Sequence, residues 1–249
     1  MSSFSEVVER GATREEIDRT QFHVWYPELK DFTFRSEIIR LGSDFVSFIK
    51  EDGFVIPPHL GDNYSSSWDS SDDEDGEGAT ANPAQRDQSN WFVELDRDFQ
   101  RCLQRLGGHA FLKTNWSAPL DVPWMTMGSL KVTSLRDIYL QLKSSDRVMF
   151  DFEHMYDSCE DGGSSEPSCP IVVLRKWVNL LPSMELRLFT RNGQLVGICQ
   201  RDCSSYYPFM GRKFPSMVEL AQSFFAASLP GTTLPDNCKC CTFHPRGIH

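Results

Sequence analysis

The sequence predicts an α+β fold of antiparallel sheets flanked by helices, and three observations predict it. Residues 185–191 and 194–200 alternate apolar and polar around Asn192-Gly193, the dipeptide that most strongly signals a tight β-hairpin. The aliphatic run Ile171-Val172-Val173 has the composition of a strand buried on both faces. Segments with helical spacing of apolar residues stand before, between and after these strands.

At 249 residues the chain has room for one large domain or two small ones. Net charge is −10, and Asp69, Asp72, Asp73, Glu74, Asp75 and Glu77 concentrate six acids in one short patch. The remainder is mildly acidic, which argues against a nucleic-acid partner or an anionic membrane surface and leaves room for a small basic pocket. The N-terminus lacks the charged and apolar regions of a signal peptide, and no apolar stretch approaches the roughly 18 residues that span a bilayer. Eight cysteines without targeting read as reduced thiols rather than a disulfide framework. A cytoplasmic monomer is expected.

Taken in order, Thr13-Arg14-Glu15-Glu16 fits a capping box at the start of a short helix. Phe22-His23-Val24-Trp25-Tyr26-Pro27 is an aromatic segment expected to stop at its proline. Residues 32–35 and 37–40 read as extended. Ser43 is placed to cap a helix through Lys50, with Phe45, Phe48 and Ile49 inward and Gly53 at its end. From 61 to 89 the chain is Ser, Asp, Glu, Gly, Asn and Gln with few large apolar side chains (Trp68 aside), too little to offset the entropy of ordering, so a disordered acidic insert is expected. A helix over 91–106 carries Phe92, Leu95, Phe99, Cys102 and Leu106 on one stripe and ends at Gly107-Gly108. The next begins at Ser134 with Asp137 three residues on. Residues 157–170 read as a loop. A last helix is expected from Ser216, with Glu219 completing its capping box. The resulting parts are an N-terminal region at 1–60, the insert at 61–89, a core at 90–236 and a Cys-rich tail at 237–249.

The chemistry concentrates where the aliphatic run becomes Leu174-Arg175-Lys176-Trp177. A core strand does not carry two adjacent cations without cause, and cations at its end suggest an anion held against a sheet. With a two-residue turn, Arg191 opposes Gln194, Arg187 opposes Ile198 and Glu185 opposes Gln200. That register places Glu185, Arg187 and Gln200 on one face and Leu186, Leu188 and Leu195 on the other. By itself the polar face reads more simply as solvated surface. Beside Arg175, Lys176 and Lys113 it reads as part of a polyphosphate site, since convergent Lys and Arg bind such groups by charge-assisted hydrogen bonds. Trp116 or Trp177 could face a base, although either alone reads as core.

Three segments carry a resemblance: Lys113-Thr114-Asn115-Trp116-Ser117-Ala118-Pro119, Leu174 to Trp177, and Gly197-Ile198-Cys199-Gln200-Arg201-Asp202. With Gly107-Gly108, residues 142–146 and Tyr206-Tyr207, in the right order, they resemble the cell division cycle protein 123 family. The resemblance implies an ATP-grasp-like fold and help in assembling translation initiation factor 2 through its γ subunit, with residues 1–60 as the partner-binding part and Phe22 to Phe34 as the candidate surface. It also implies ATP between two sheets. Lys113 and Arg175 would lie on phosphates. Asn115, Trp116, Ser117 and Ala118 with Asp121, Lys176 and Trp177 would lie near the base or hinge, and Arg187, Gln200 and Arg201 further along the phosphate path.

The chain departs from the family at its end. Members continue with an aspartate-bearing strand and an Asp-Phe-Asn-Pro segment that hold magnesium. Here residues 236–249 carry no Asp-x-Asn, so a magnesium site is not expected to be complete. The C-terminal sheet is expected to lack a strand. Cys238, Cys240, Cys241, His244 and His249 invite zinc, but Cys-x-Cys-Cys lacks the gap that lets two thiolates chelate, and an unstructured tail is expected instead. Absent a nucleophile or general base, the reading is a non-catalytic ATP-binding assembly chaperone. The alternatives are an ATP-grasp ligase-type enzyme and a truncated, non-functional isoform.

Overall fold

Helix and strand signals sort the chain into two antiparallel sheets, each covered by helices. The computed structural model describes residues 11–51, 57, 60, 92–126 and 128–228, and the backbone course of 239–244 and 247–248. The acidic insert, Gly53 and the side chains of the Cys-rich tail lie outside the described residues.

The first sheet has the order β1 (Ser36–Arg40), β4 (Ile171–Lys176), β2 (Ala110–Lys113), β3 (Lys131–Val132). Every pair in it is antiparallel. One face presents Ile39, Val172, Leu174, Ala110, Leu112 and Val132 to helices α3 (Ser43–Lys50), α4 (Val93–Arg105) and α5 (Leu135–Ser144), and this is the main core. Period-two geometry sends Ile38, Ile171 and Val173 to the opposite face, where Phe22, Trp25 and Tyr26 of α2 (Phe22–Leu29) cover them. Because β4 is apolar on both faces, its run of aliphatic residues needs no alternation. It ends where Arg175 is reached.

The capping signals hold where predicted. Thr13 and its Glu16 form a capping box on α1 (Arg14–Asp18), and Ser134 with Asp137 forms one on α5. Gly107 and Gly108 follow α4 with φ of 91° and 82°, a left-handed exit that glycine alone makes without cost. Gly42, rather than Ser43, occupies the cap position of α3. The proline of α2 does not stop it: Pro27 sits inside the helix, and the packing of Phe22, Trp25 and Tyr26 on the sheet outweighs one lost backbone bond. For the same reason α7 (Met210–Ser228) starts a turn and a half before Ser216 and contains Pro215, since Met210 joins Met217 and Ala221 in the second core. A helix absent from the sequence reading, α6 (Asp146–Glu153), is capped by Ser145.

The second sheet has the order β6 (Gln194–Gln200), β5 (Leu186–Arg191), β7 (Lys239–His244), β8 (Gly247–Ile248). Asn192 and Gly193 both adopt positive φ, as a tight primed turn requires. The expected register fails beyond the turn. A bulge between Phe189 and Thr190 sets Arg187 opposite Cys199 and Leu186 opposite Gln200. One extra residue on one strand shifts every later pair by one, so Gln200 shares the face of Leu186 and Leu188 instead of that of Arg187. The tail is corrected too. Residues 239–244 are not unstructured but pair antiparallel with β5 from Leu186↔Phe243 to Thr190↔Lys239, which gives β5 a neighbour on both edges. A short link between the two halves runs through Leu29 and Phe32, which pack against Phe224 and Phe225 of α7.

Phe22 is a measurable keystone of this arrangement. Phe22→Ala should cost about 3–5 kcal/mol in urea unfolding, because the ring is buried and stacks on Tyr26 at 5.1 Å. A loss under about 1 kcal/mol would show that α2 is peripheral.

Candidate functional site

Phe111 of β2 opposes Arg175 on one side and Lys131 on the other. Opposed residues share a face, so Arg175, Phe111 and Lys131 form a row across three strands. Lys113, two residues along β2, lies on that same face, diagonal to Arg175. It is the face of Ile171 and Val173. The first sheet thus carries a patch of three cations where its α2-covered side runs out of apolar residues.

The two central cations are held tightly. Arg175 is 4% exposed; its guanidinium donates to Thr33 Oγ1 at 2.8 Å and lies 5.3 Å from the Phe22 ring and 5.8 Å from the Phe34 ring. Burial pushes its pKa down to about 10, which leaves it charged at neutral pH. Lys113 Nζ donates to the Trp116 carbonyl at 2.8 Å. Burial first, and then the Arg175 and Arg147 charges, push its pKa down to about 8 against the opposing pull of Asp151. The desolvation and the like charge both favour the neutral amine. An anion placed on this face would oppose both by favouring the ammonium.

The loop after Lys113 is a tight structure built on Asp151. This fully buried carboxylate on α6 accepts from Thr114 Oγ1, from Trp116 N at 3.1 Å, from Ser117 N at 2.8 Å and from Ser117 Oγ at 2.7 Å. Asn115 is a staple: its Nδ2 donates to Gln21 Oε1 at 2.7 Å and to the Cys169 carbonyl at 2.8 Å, and its Oδ1 accepts from Ile171 N at 3.0 Å. Trp116 Nε1 donates to Thr20 Oγ1 at 3.0 Å, with its ring edge-on to Tyr156 at 5.7 Å. The Ala118 carbonyl accepts from Arg147 Nε at 3.2 Å, and Asp121 accepts from Ser145 Oγ at 2.6 Å at the start of α6. Each of these residues is therefore joined to the loop or to its supports.

The other expected residues belong to the end of β4 and to the second sheet. Lys176, exposed at the end of β4, lies on the opposite face of the strand from Arg175. Trp177 Nε1 donates to Asn179 Oδ1 at 3.0 Å. Arg187 is exposed on β5 between Cys199 and Thr242. Gln200 faces the leucines, and Arg201 forms an ion pair with the buried Glu185. The charges that act on Lys113 come from Arg175 on β4 and from Asp151 and Arg147 on α6, so Lys113 and Arg175 are brought together on the first sheet. Among the described residues, no group of three His, Cys, Asp or Glu is placed to hold a metal ion, and no helix is long and apolar enough to cross a membrane.

Sequence reading missed Asp151, Arg147 and Lys131. Ser145 followed by Val148 and Phe152 was a usable cap-and-stripe signal for α6. Lys131 sits on a two-residue strand, too short for any period to show.

Two four-stranded antiparallel sheets with flanking helices, one sheet bearing a half-buried lysine diagonal to a buried arginine, define an architecture found among solved structures. The structure of Cdc123 from Schizosaccharomyces pombe matches with a TM-score of 0.74 and 25% identity, covering 96% of this chain and 86% of that one. A C-terminally truncated form of the same protein matches at 0.71. The D123 family model matches residues 25–242, and the chain belongs to that family. Curated relatives include the translation initiation factor eIF2 assembly proteins of Sclerotinia sclerotiorum and Xenopus laevis, each 34% identical over 87% and 85% of this chain. The cell division cycle protein 123 of Phaeosphaeria nodorum is also 34% identical, over 84%. The chain spans 54% of the length of the first of these relatives and 64% of the second.

The depressed lysine gives a test that needs no ligand. Between about pH 8 and 10.5 the unfolded chain keeps the Lys113 proton that the folded chain has released, so this residue makes unfolding free energy rise with pH in that window. Lys113→Met should stabilise the protein at pH 7 by on the order of 2 kcal/mol, with the difference closing by pH 10.5. Urea midpoints of both proteins across this range check it; a destabilised variant at pH 7 would rule out the strained cation.

Proposed function

We propose that this chain is an assembly factor for translation initiation factor 2, acting in the cytoplasm through that factor's γ subunit and holding ATP as a bound ligand. Membership of the D123 family supports the assembly role, because its relatives carry eIF2 assembly in their names. The observation that carries the nucleotide part is the Lys113–Arg175 pair on one sheet face, a half-buried ammonium diagonal to a buried guanidinium. The donor set fits the phosphates: an ammonium and a planar guanidinium, with Lys131 in the same row. Bound ATP would supply the negative charge that this face lacks, and turnover is no part of the reading. For magnesium, the described residues provide no fitting carboxylate set, and no step is assigned to it.

The partner surface expected over Phe22 to Phe34 needs narrowing. Phe22 and Leu29 are buried, and Trp25, Tyr26 and Phe32 pack on them or on the sheet. The exposed members of that segment are Val24, Pro27, Glu28, Lys30 and Asp31. These are the residues we assign to the γ-subunit contact.

Two experiments test this reading. Calorimetry with ATP, with and without magnesium, should show binding that Lys113→Ala and Arg175→Ala each weaken by about tenfold or more, the worth of a hydrogen bond to a charged group; a folded wild-type chain that gives no heat with ATP would end the nucleotide half. Co-precipitation should recover the γ subunit, and substitutions at Val24 and Asp31 together should abolish recovery without lowering the thermal midpoint. Failure of the folded wild-type chain to retain the γ subunit would end the assembly half.

A further inference from the structure

Asp151 is the most heavily engaged carboxylate of the site, and nothing in the assembly role assigns it a task. It lies on α6, away in sequence from the loop it serves. Its two oxygens collect the Thr114 and Ser117 hydroxyls and the Trp116 and Ser117 amides, so every contact is a donor and the carboxylate is used as an acceptor on both sides. Those four donors span the turn that immediately follows Lys113. We propose that Asp151 is the positioning residue of this site: it fixes the 114–117 turn from beneath, and as the counter-charge to Lys113 it sets the pH range in which the site takes a polyphosphate. The inference rests on the anion-binding reading for its purpose; its geometry is the set of four donors on Asp151 together with the Lys113 Nζ bond to the Trp116 carbonyl, which ties the lysine to the turn that Asp151 fixes.

The charged groups around Lys113 are few enough to work out the sign. Arg175 faces it from β4, Arg147 and Asp151 from α6, and Lys131 shares the sheet face from β3. Burial, Arg175 and Arg147 favour the neutral amine, and Asp151 alone among these favours the ammonium. Without the Asp151 charge, Lys113 loses its proton at lower pH, and a site that needs an ammonium fails earlier as pH rises. Removing a hydroxyl donor such as Thr114 loosens the turn but leaves the charge in place. Geometry and charge are thus separable by choice of variant.

The test uses the full chain, inorganic tripolyphosphate as probe, amine-selective labelling of Lys113 read by mass spectrometry from pH 6 to 11, and amide exchange at Trp116 and Ser117. Asp151→Asn should move the Lys113 labelling midpoint down by about one pH unit, which is roughly threefold faster labelling near pH 7.5 and close to tenfold at pH 6. Its Trp116 and Ser117 amides should exchange at least about tenfold faster, the equivalent of one lost hydrogen bond. Its tripolyphosphate affinity should fall more steeply from pH 6.5 to pH 8.5 than that of the wild type. Thr114→Val should speed the same amides with the Lys113 midpoint unchanged. A folded Asp151→Asn protein with the wild-type labelling midpoint overturns the proposal. If that variant does not fold, unchanged amide exchange in Thr114→Val and Ser117→Ala, or a wild-type labelling midpoint near the ordinary lysine value, overturns it. Wild-type protein that shows the expected labelling and exchange but ignores tripolyphosphate would defeat the anion reading and leave the hold of Asp151 on Lys113 standing.

Discussion

Lys113 and Arg175 share one face of a sheet whose neighbouring positions are Ile38, Ile171 and Val173, and holding a half-buried ammonium and a buried guanidinium there is the constraint to which the surrounding groups answer. A buried cation is tolerated only with partners, and the partners come from every direction: Thr33, Phe22 and Phe34 on Arg175, the Trp116 carbonyl under Lys113, Asp151 beyond it. Most of these groups are also needed elsewhere. Phe22 belongs to the core that α2 forms on the sheet, and Thr33 lies in the segment leading into β1. The N-terminal region and the cationic face are consequently one piece of structure.

Asn115 makes the same point with neutral groups. Its side chain joins Gln21, Cys169 and Ile171, while its carbonyl accepts the Phe22 amide at 2.8 Å. A single residue in the loop after β2 thereby fixes the start of α2 and the start of β4. Any displacement of that loop by a ligand would be felt in the α2 segment, whose exposed residues are those assigned to the partner. Coupling of this kind requires two arrangements of a shared element that each ligand favours differently, and the loop from 113 to 118 is the element the two regions have in common.

The parts of the fold that were legible in the sequence are those specified locally. Ser134 with Asp137, Gly107-Gly108 and Asn192-Gly193 each encode a backbone event within four residues, and each occurs where expected. Positions decided by tertiary packing were not legible. Pro27 and Pro215 read as stops and lie inside helices because buried aromatic and methionine contacts outweigh one missing bond. The hairpin register needed knowledge of a bulge between Phe189 and Thr190, which no alternation pattern announces. At the site, Arg175 was legible as a cation at the end of an apolar run, and Lys113 as the first residue of the motif that carries the family resemblance. Asp151 was not, since a carboxylate on an amphipathic helix looks like any solvated acid until the loop it receives is in place.

The pairing of β5 with β7 carries a consequence for how the second sheet comes together. β5 meets β6 across a tight turn, but its other edge is covered only after β6 and the nineteen residues of α7 have intervened. A newly made chain therefore holds an open, hydrogen-bond-hungry strand against α7 for the whole interval before residues 239–244 arrive. During that interval the edge is a template for any extended segment nearby, and a holdase that masks it would have its natural task there.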